Sequence, residues 1–481
     1  MSAPLDKVYE NTGESSGLDV NNGGGAVCEE MERGISLGTF SATCCNALIS
    51  QALSMPFMFT TAGWFSFIIQ ALAASLTFVC IQMLRATLKN EKVKQYAEER
   101  GVPTFEREYT FLGEFCAGNF GRGAITLLIL LEYFSGLITN LGAIGLCAAL
   151  IAPAISADVW IIIFSAITLI MILVPWLREI SAVMGVLAVV GILGSWIVIL
   201  PDSHLIENLT AREPLLINLV TAFSLSMWTS ADVPSLPPYL GAIRGSTDRR
   251  ITLTIIICLT LSVVYVYIIG LAGMQICDGV CKDFYPASLA GFHPAALPPW
   301  LVYCMYAFIL LRMFVILPIV MVPLMVACET VVGRLLVGKY LYTAARLSLV
   351  HRTLAVFHLC HLFETACDSS QSCTKVTSKL SRLKGWRLAV RCLLLTVAAL
   401  GAILVKEKLA YSQAIASVLL TSCALYLCQL WFYAYVMRPV GIKLWAVYVS
   451  GVLVAAFVVV GTYTSIMGII SGSPENSTGM L

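Results

Sequence analysis

The chain has 481 residues, of which 58% are hydrophobic and 12% are charged, and its formal net charge is +2. A soluble domain of ordinary composition carries about 25% charged residues, so this composition excludes a soluble globular protein and predicts an all-α, multi-pass membrane protein. A net charge this close to zero gives no reason to expect a nucleic-acid partner.

Eleven apolar segments are long enough to cross a bilayer as helices. They follow a polar tail, residues 1–36, which we expect to be disordered and cytoplasmic. The predicted membrane domain covers residues 37–470, with a cytoplasmic loop at 329–386 and an outer tail at 471–481. The segments lie near residues 38–60, 63–85, 122–150, 156–175, 180–201, 214–241, 251–273, 299–328, 388–405, 411–436 and 444–470.

The loop charges predict the orientation. With the N-terminus in the cytoplasm, 25 of the 30 Lys and Arg residues fall on the cytoplasmic side and 4 fall in outer loops. Cytoplasmic loops carry such an excess of basic residues, so the N-terminus is predicted inside and the C-terminus outside. We expect the plasma membrane rather than a lysosomal or vacuolar membrane.

A charged cytoplasmic helix within residues 86–108 is predicted to end at Gly101 and Pro103.

Two kinds of covalent modification are predicted on the outer side. The sequons at Asn208 and Asn476 lie in outer segments of this topology and predict N-glycosylation. Cys277 and Cys281 share an outer loop, and an oxidising compartment allows a disulfide between them.

The sixth segment, PLLINLVTAFSLSMWTSADVPSLPPYLG at 214–241, is interrupted. Hydroxyl side chains lie at its middle, Asp232 follows them, and three prolines then remove backbone donors. An interrupted span is tolerated where its freed backbone groups face protein or a water-filled cavity. Transporters build substrate sites from such broken helices in corresponding positions of two repeats. The segment therefore predicts a substrate site.

The first segment is interrupted in a similar way. It holds Asn46, Ser50, Gln51 and Pro56 within 38–60. Segments 1 and 6 are five segments apart, as corresponding helices of two five-helix repeats would be. The two interruptions therefore predict two inverted repeats with helices 1 and 6 broken.

Four motifs in the first two thirds of the chain carry a family resemblance. Ser54-Met55-Pro56-Phe57 followed by Gly63-Trp64, and LGEFCAGNFGRGAITLLILLEYFSG at 112–136, resemble the first and third helices of the amino acid/auxin permease family. FSLSMWTSADVPSLPPYLGAI and YVYIIGLAGMQICDG at 265–279 resemble its sixth and seventh helices. The resemblance covers residues 36 to about 330.

The resemblance implies a five-plus-five inverted-repeat fold of the leucine-transporter type with one additional helix. It also implies amino acid transport driven by protons or sodium, without a cofactor, with unwound parts of helices 1 and 6 holding the substrate. The chain departs from the family where Ile49-Ser50-Gln51 replaces a Gly-x-Gly pair. Glycine lets bare amides approach an anion closely, so this departure predicts an altered carboxylate site.

Three charged residues lie inside the predicted hydrocarbon layer: Glu132, Asp232 and Arg312. Each costs about 2.5–3.5 kcal/mol at a helix centre, and such residues usually mark substrate or ion pathways. Glu132 and Arg312 occupy segments 3 and 8, which are adjacent in the implied fold, so we hypothesise that they pair near the site or as a structural ion pair. Asp232 is a candidate either to bind a cationic amine or to carry the coupled proton, and the alternative is an acid of the aqueous inner vestibule.

Eight residues of the two broken helices are candidate substrate contacts. The alternative for each is packing or hydrogen bonding between helices. They are Asn46, Ser50, Gln51 and Ser54 in helix 1, and Phe223, Ser224, Ser226 and Trp228 in helix 6.

These features predict a monomeric secondary active transporter of amino acids. The alternative is a nutrient receptor that kept the transporter fold. The missing glycine pair favours this receptor alternative. An enzyme is not expected, because no catalytic triad or metal-ligand set lies at a common membrane depth. Saturable uptake by proteoliposomes distinguishes the two main hypotheses.

Overall fold

A computed structural model describes most of the membrane domain. The described residues are 36–38, 40–41, 44, 54–102, 107–173, 188–194, 216–231, 233–237, 240, 243, 246–276, 281, 300–317, 320–321, 324–325, 328 and 373–471. The long regular elements in these ranges are all helices, as the composition predicts.

The described ranges contain eleven main helices. They are α1 (Met55–Ala62), α2 (Phe65–Lys89), α3 (Glu91–Glu99), α4 (Tyr109–Ile151), α5 (Ala157–Leu173), α6 (Leu216–Trp228), α7 (Asp248–Ile276), α8 (Trp300–Leu317), α9 (Cys373–Val405), α10 and α11 (Ile442–Ser471). Helix α10 has three consecutive parts: an α-helix Leu409–Ala416, a π-helix Ser417–Leu427 and an α-helix Cys428–Met437.

Six helical stretches within the described ranges are long and apolar enough to cross a membrane. They are Phe65–Lys89, Tyr109–Ile151, Asp248–Gln275, Trp300–Leu317, Leu388–Met437 and Ile442–Ile470. The stretch Leu388–Met437 contains parts of both α9 and α10 and covers two predicted segments. The chain is therefore an all-α, multi-pass membrane protein.

Helix α1 is short because the sequence limits it at both ends. It begins after Ser54 with Pro56 in its first turn, where a missing backbone N–H costs nothing. It ends at Gly63, whose φ of 53° lies in the left-handed region that favours glycine. Helix α7 packs on it: a Cβ on Gly270 would lie 2.3 Å from the Phe59 ring, so only a glycine allows this approach.

Helix α6 ends inside the predicted sixth segment. Its last residue is Trp228, residues 229–231 form turns, and a 3₁₀ turn follows at Val233–Ser235. This confirms the predicted interruption. Helix α2 packs along α6, while α7 packs along α1.

Charged residues hold together one end of the molecule, which we call the α3 end. Buried Arg85 of α2 donates to Thr252 of α7 at 2.7 Å, and Asp248 forms ion pairs with both Arg85 and Lys89. Helix α3 ends before Gly101, whose φ is 65°, as predicted.

Helix α4 begins earlier than predicted and is kinked. The sequence predicts its start near residue 122, but the helix begins at Tyr109 and bends at Ala117 and Gly118. A Cβ on Gly121 would lie 2.1 Å from the Gly113 carbonyl oxygen, so the two turns touch through glycine. Beside the kink, buried Glu114 pairs with Arg100 and with Arg122, the latter at 2.9 Å.

Helix α9 also begins earlier than its predicted span. It starts at Cys373, inside the segment 329–386 that the sequence assigns to a cytoplasmic loop. The remainder of that segment, residues 329–372, lies outside the described residues.

Candidate functional site

The centre of the site is the end of α6, where α2 supplies hydrogen-bond partners. Ser226 donates its hydroxyl to the Gln70 side-chain oxygen, and the Gln70 amide donates to the Thr229 hydroxyl at 3.4 Å. Thr229 donates in turn to the Ser226 carbonyl at 2.7 Å. The three side chains are at most 4% exposed, so this closed network lies in the protein interior where the helix stops.

A second set of contacts joins α2 and α10 to the turn that follows α6. The Thr77 and Ser230 hydroxyls are 2.9 Å apart, and the Tyr426 hydroxyl lies 3.4 Å from the Thr77 hydroxyl. All three side chains are buried. Helix α10 therefore contacts the interruption of α6 directly.

Helix α10 also contacts the start of α1. Ser54, the residue before α1, donates its hydroxyl to the side-chain oxygen of Gln413. Ser54 is 3% exposed and Gln413 is 2% exposed. Residues at the start of α1 and just beyond the end of α6 thus both contact one helix, α10.

The structure divides the predicted helix 6 contacts into two groups. Ser226 lies in the α2–α6 network and Trp228 is the buried last residue of α6. Phe223 packs α6 on α11, whereas Ser224 bonds within α6 itself. The Ser224 hydroxyl donates to the Val220 carbonyl at 2.8 Å, and the Phe223 ring packs edge-on against Phe457 at 5.0 Å.

Several predicted residues fall outside the described ranges, and their roles stay predictions. These are Asn46, Ser50, Gln51, Asp232, the sequon residues Asn208 and Asn476, and Cys277. Cys281 is disulfide-bonded. Within the described ranges, no group of three or more His, Cys, Asp and Glu residues could hold a metal ion.

The two charged residues of segments 3 and 8 are both buried, at 4% exposure each. Glu132 lies near Cys423 and Cys428 of α10. Arg312 lies near Tyr265 of α7. Their mutual pairing remains a prediction.

Four site residues were missed from the sequence: Gln70, Thr77, Gln413 and Tyr426. The two glutamines carried a usable signal, because a polar amide inside an apolar span usually bonds across a helix interface. Nothing local predicts which helix each one contacts.

The chemistry of the site is that of neutral hydroxyl and amide groups beside two helix ends. The end of α6 leaves backbone carbonyls without helical partners, and the start of α1 leaves backbone N–H groups. Such ends attract cations and anions respectively. Within the described residues, the site therefore combines hydrogen-bond donors and acceptors with two helix ends of opposite polarity.

Comparison with known proteins gives only distant likenesses. No family model and no curated protein matches the chain. Two solved structures of Mhp1 match it at 14% identity. One is described as a nucleobase-cation-symport-1 family transporter in a closed conformation with bromovinylhydantoin bound; the match covers 91% of this chain and 92% of that chain, with a TM-score of 0.46. The other is an inward-facing conformation, matched over 91% and 90% at a TM-score of 0.44. At TM-scores below 0.5, neither match assigns a family, substrate or function to this chain.

Proposed function

We propose that this protein is a secondary active transporter that carries an amino acid across a membrane by alternating access. The observation that carries the proposal is the end of α6 at Trp228, inside a predicted membrane segment and beside the buried Gln70 network. Irregular backbone at membrane depth is tolerated where it lines a cavity or lies in protein, and transporters use it for binding.

The two helix ends suit a zwitterion. The C-terminal carbonyls of α6 favour an ammonium group, and the N-terminal amides of α1 favour a carboxylate. Helices α1 and α6 pack against each other, which supports a shared site for both groups of one amino acid. This is the physical reason to favour amino acids over uncharged substrates.

The helix packing also supports the predicted five-plus-five inverted repeat. Helix α2 packs on α6 through Gln70 and Ser226, and α7 packs on α1 through Gly270 and Phe59. If α1–α2 and α6–α7 are equivalent pairs, a twofold relation exchanges these two contacts. We also propose that the chain belongs to the amino acid/auxin permease family. We further propose that it is a monomer in the plasma membrane, with the α3 end on the cytoplasmic side.

Counterflow in proteoliposomes tests the proposal. Vesicles loaded with each standard amino acid in turn should take up the same labelled amino acid faster than empty vesicles, for at least one substrate. The absence of counterflow for every amino acid would contradict the transport function.

The predicted role of Asp232 has its own test. Asp232→Asn permanently mimics the protonated acid, so we expect it to keep exchange of substrate but to lose accumulation driven by a pH gradient. Asp158→Asn is the control, because Asp158 pairs with Lys406 away from the interruption of α6. If Asp232→Asn accumulates substrate like the parent, Asp232 is not the coupling residue and Glu132 is the next candidate.

A receptor that kept the transporter fold is the second candidate function. The observation in its favour is Ile49-Ser50-Gln51, which replaces the glycine pair of the family that the chain resembles. A receptor would be stabilised against heat by an amino acid and would show no counterflow of that amino acid.

A further inference from the structure

Helix α10 carries a row of buried polar side chains that continues away from the candidate site. Gln413, Ser417 and Thr421 are spaced four residues apart, which places them on one face of the helix. All three are at most 2% exposed. The row starts at the Ser54 contact and runs towards the α3 end.

The π-helix extends this row to Gln429. In an unbroken α-helix, the path from Gln413 to Gln429 would make about 4.4 turns and would place the two side chains on opposite faces. The π-helical part Ser417–Leu427 turns through a smaller angle per residue, which brings Gln429 back towards the row. Gln429 is fully buried and lies next to the Tyr109 hydroxyl of α4.

Beyond Gln413, which accepts from Ser54, the polar side-chain atoms of this row lack protein partners within the described ranges. The Ser417 and Thr421 hydroxyls form no hydrogen bond, and the adjacent Gln429 amide and Tyr109 hydroxyl do not reach hydrogen-bond geometry with each other. Several other buried hydroxyls in the described ranges donate to a carbonyl of their own helix, as Thr77 does to the Ala73 carbonyl at 2.8 Å. The Ser417 and Thr421 hydroxyls therefore differ from membrane-helix hydroxyls that donate to their own backbone.

Bound water is the simplest partner for these groups. An unsatisfied buried polar group costs about 1–3 kcal/mol, and such groups in native proteins are usually satisfied by ordered water. Each hydroxyl both donates and accepts, as a water molecule requires and as a bare cation does not. At about 1.5 Å per residue or less, the row from Gln413 to Gln429 covers roughly 20 Å of a hydrocarbon layer about 30 Å thick.

An acid lies alongside the row. Glu132 of α4 is buried, and it lies close enough to Cys423 and Cys428 of α10 and to Tyr109 for its charge to influence them. A nearby carboxylate favours a positively charged, protonated water chain.

We propose that Gln413, Ser417, Thr421, Gln429 and Tyr109, which we call the α10 row, hold a file of water molecules that conducts protons between the α3 end and the candidate site. Each water passes one proton to its neighbour and receives another, so no group in the row is consumed. The proton role rests on the proposed transport function and supplies the route by which a coupled proton reaches the site.

A double variant tests the proton role. Ser417→Ala with Thr421→Val removes two hydroxyls while keeping similar volume. Reconstituted protein should keep substrate exchange within about twofold of the parent, while accumulation driven by a pH gradient falls at least fivefold. The control is Thr464→Val on α11, a buried threonine whose hydroxyl donates to the Gly461 carbonyl at 3.0 Å; it should behave like the parent.

Accumulation by the double variant that equals that of Thr464→Val would overturn the proton role. Accumulation that follows a sodium gradient and ignores pH would also overturn it. Neither result touches the transport proposal, which stands or falls on counterflow by the parent.

Radiolytic hydroxyl-radical labelling tests the water file without requiring transport. Radicals form at bound water, so Tyr109, although 1% exposed, should be oxidised at least several-fold faster than Phe59, which is 0% exposed and packed among aromatic rings. Equal slow oxidation of both residues in the folded parent protein would show that the row is dry and would overturn the proposal.

Discussion

The α2–α6 contact and the α10 row are both polar and both buried, but they differ in hydrogen bonding. In the α2–α6 contact, Gln70, Ser226 and Thr229 satisfy one another, whereas Ser417 and Thr421 of α10 have no protein partner in the described ranges. Satisfied groups hold helices together, and unsatisfied groups require another molecule. A polar residue in a membrane helix is therefore informative only together with its partners.

The largest expected effect on stability comes from Gln70→Leu. The change leaves the buried Ser226 hydroxyl without its acceptor and removes the Thr229 contact, so we expect the free energy of unfolding to fall by about 2–3 kcal/mol. Denaturant titration in detergent micelles measures the loss. The matched control is Gln429→Leu, an equally buried glutamine with no hydrogen-bond partner in the described ranges, which should lose less than about 1 kcal/mol. Equal losses would remove the distinction between the two regions.

A smaller effect is expected from one threonine in each region, Thr77 of α2 and Thr421 of α10. Thr77→Val removes the hydroxyl that contacts Ser230 and Tyr426, and should cost about 1 kcal/mol. Thr421→Val breaks no protein hydrogen bond and should change the unfolding free energy by less than about 0.5 kcal/mol. The same denaturant titration compares them. A larger cost for Thr421→Val than for Thr77→Val would show that Thr421 has a strong partner.

A small, salt-dependent effect is expected from the charged cluster at the α3 end. Glu114 is buried, but Arg100 and Arg122 are about half exposed. Because water solvates and screens the two guanidinium groups, these ion pairs stabilise the fold only weakly. We expect Glu114→Gln to cost under about 1 kcal/mol, and the cost to shrink further at 1 M salt because exposed charges are screened. A loss of several kcal/mol that is independent of salt would instead place Glu114 with the closed buried networks.

Local signals in the sequence predict part of this structure. The interruption after Trp228 follows from hydroxyl residues and prolines, and the end of α3 follows from Gly101. The extension of α4 back to Tyr109 does not follow from the apolar span at 122–150, because the helix continues through a kink where Gly113 and Gly121 touch.

The partners within the site required the structure. Ser54 and Gln413 are separated by 359 positions, and Gln70 and Ser226 by 156, so no local pattern connects them. The π-helical part of α10 has no glycine or proline to announce it, and it decides which side chains share the row.

The central claim is that the interrupted ends of α1 and α6 bind the substrate. Equilibrium binding of the radiolabelled amino acid that gives counterflow tests it most directly, with purified parent, Ser54→Ala, Ser226→Ala and Thr61→Ala. Thr61 is the control because its hydroxyl donates to carbonyls of its own helix at 2.9 and 3.0 Å. We predict at least tenfold weaker binding for Ser54→Ala and Ser226→Ala and unchanged binding for Thr61→Ala. Equal affinity in all four proteins, each shown to be folded, would contradict the site.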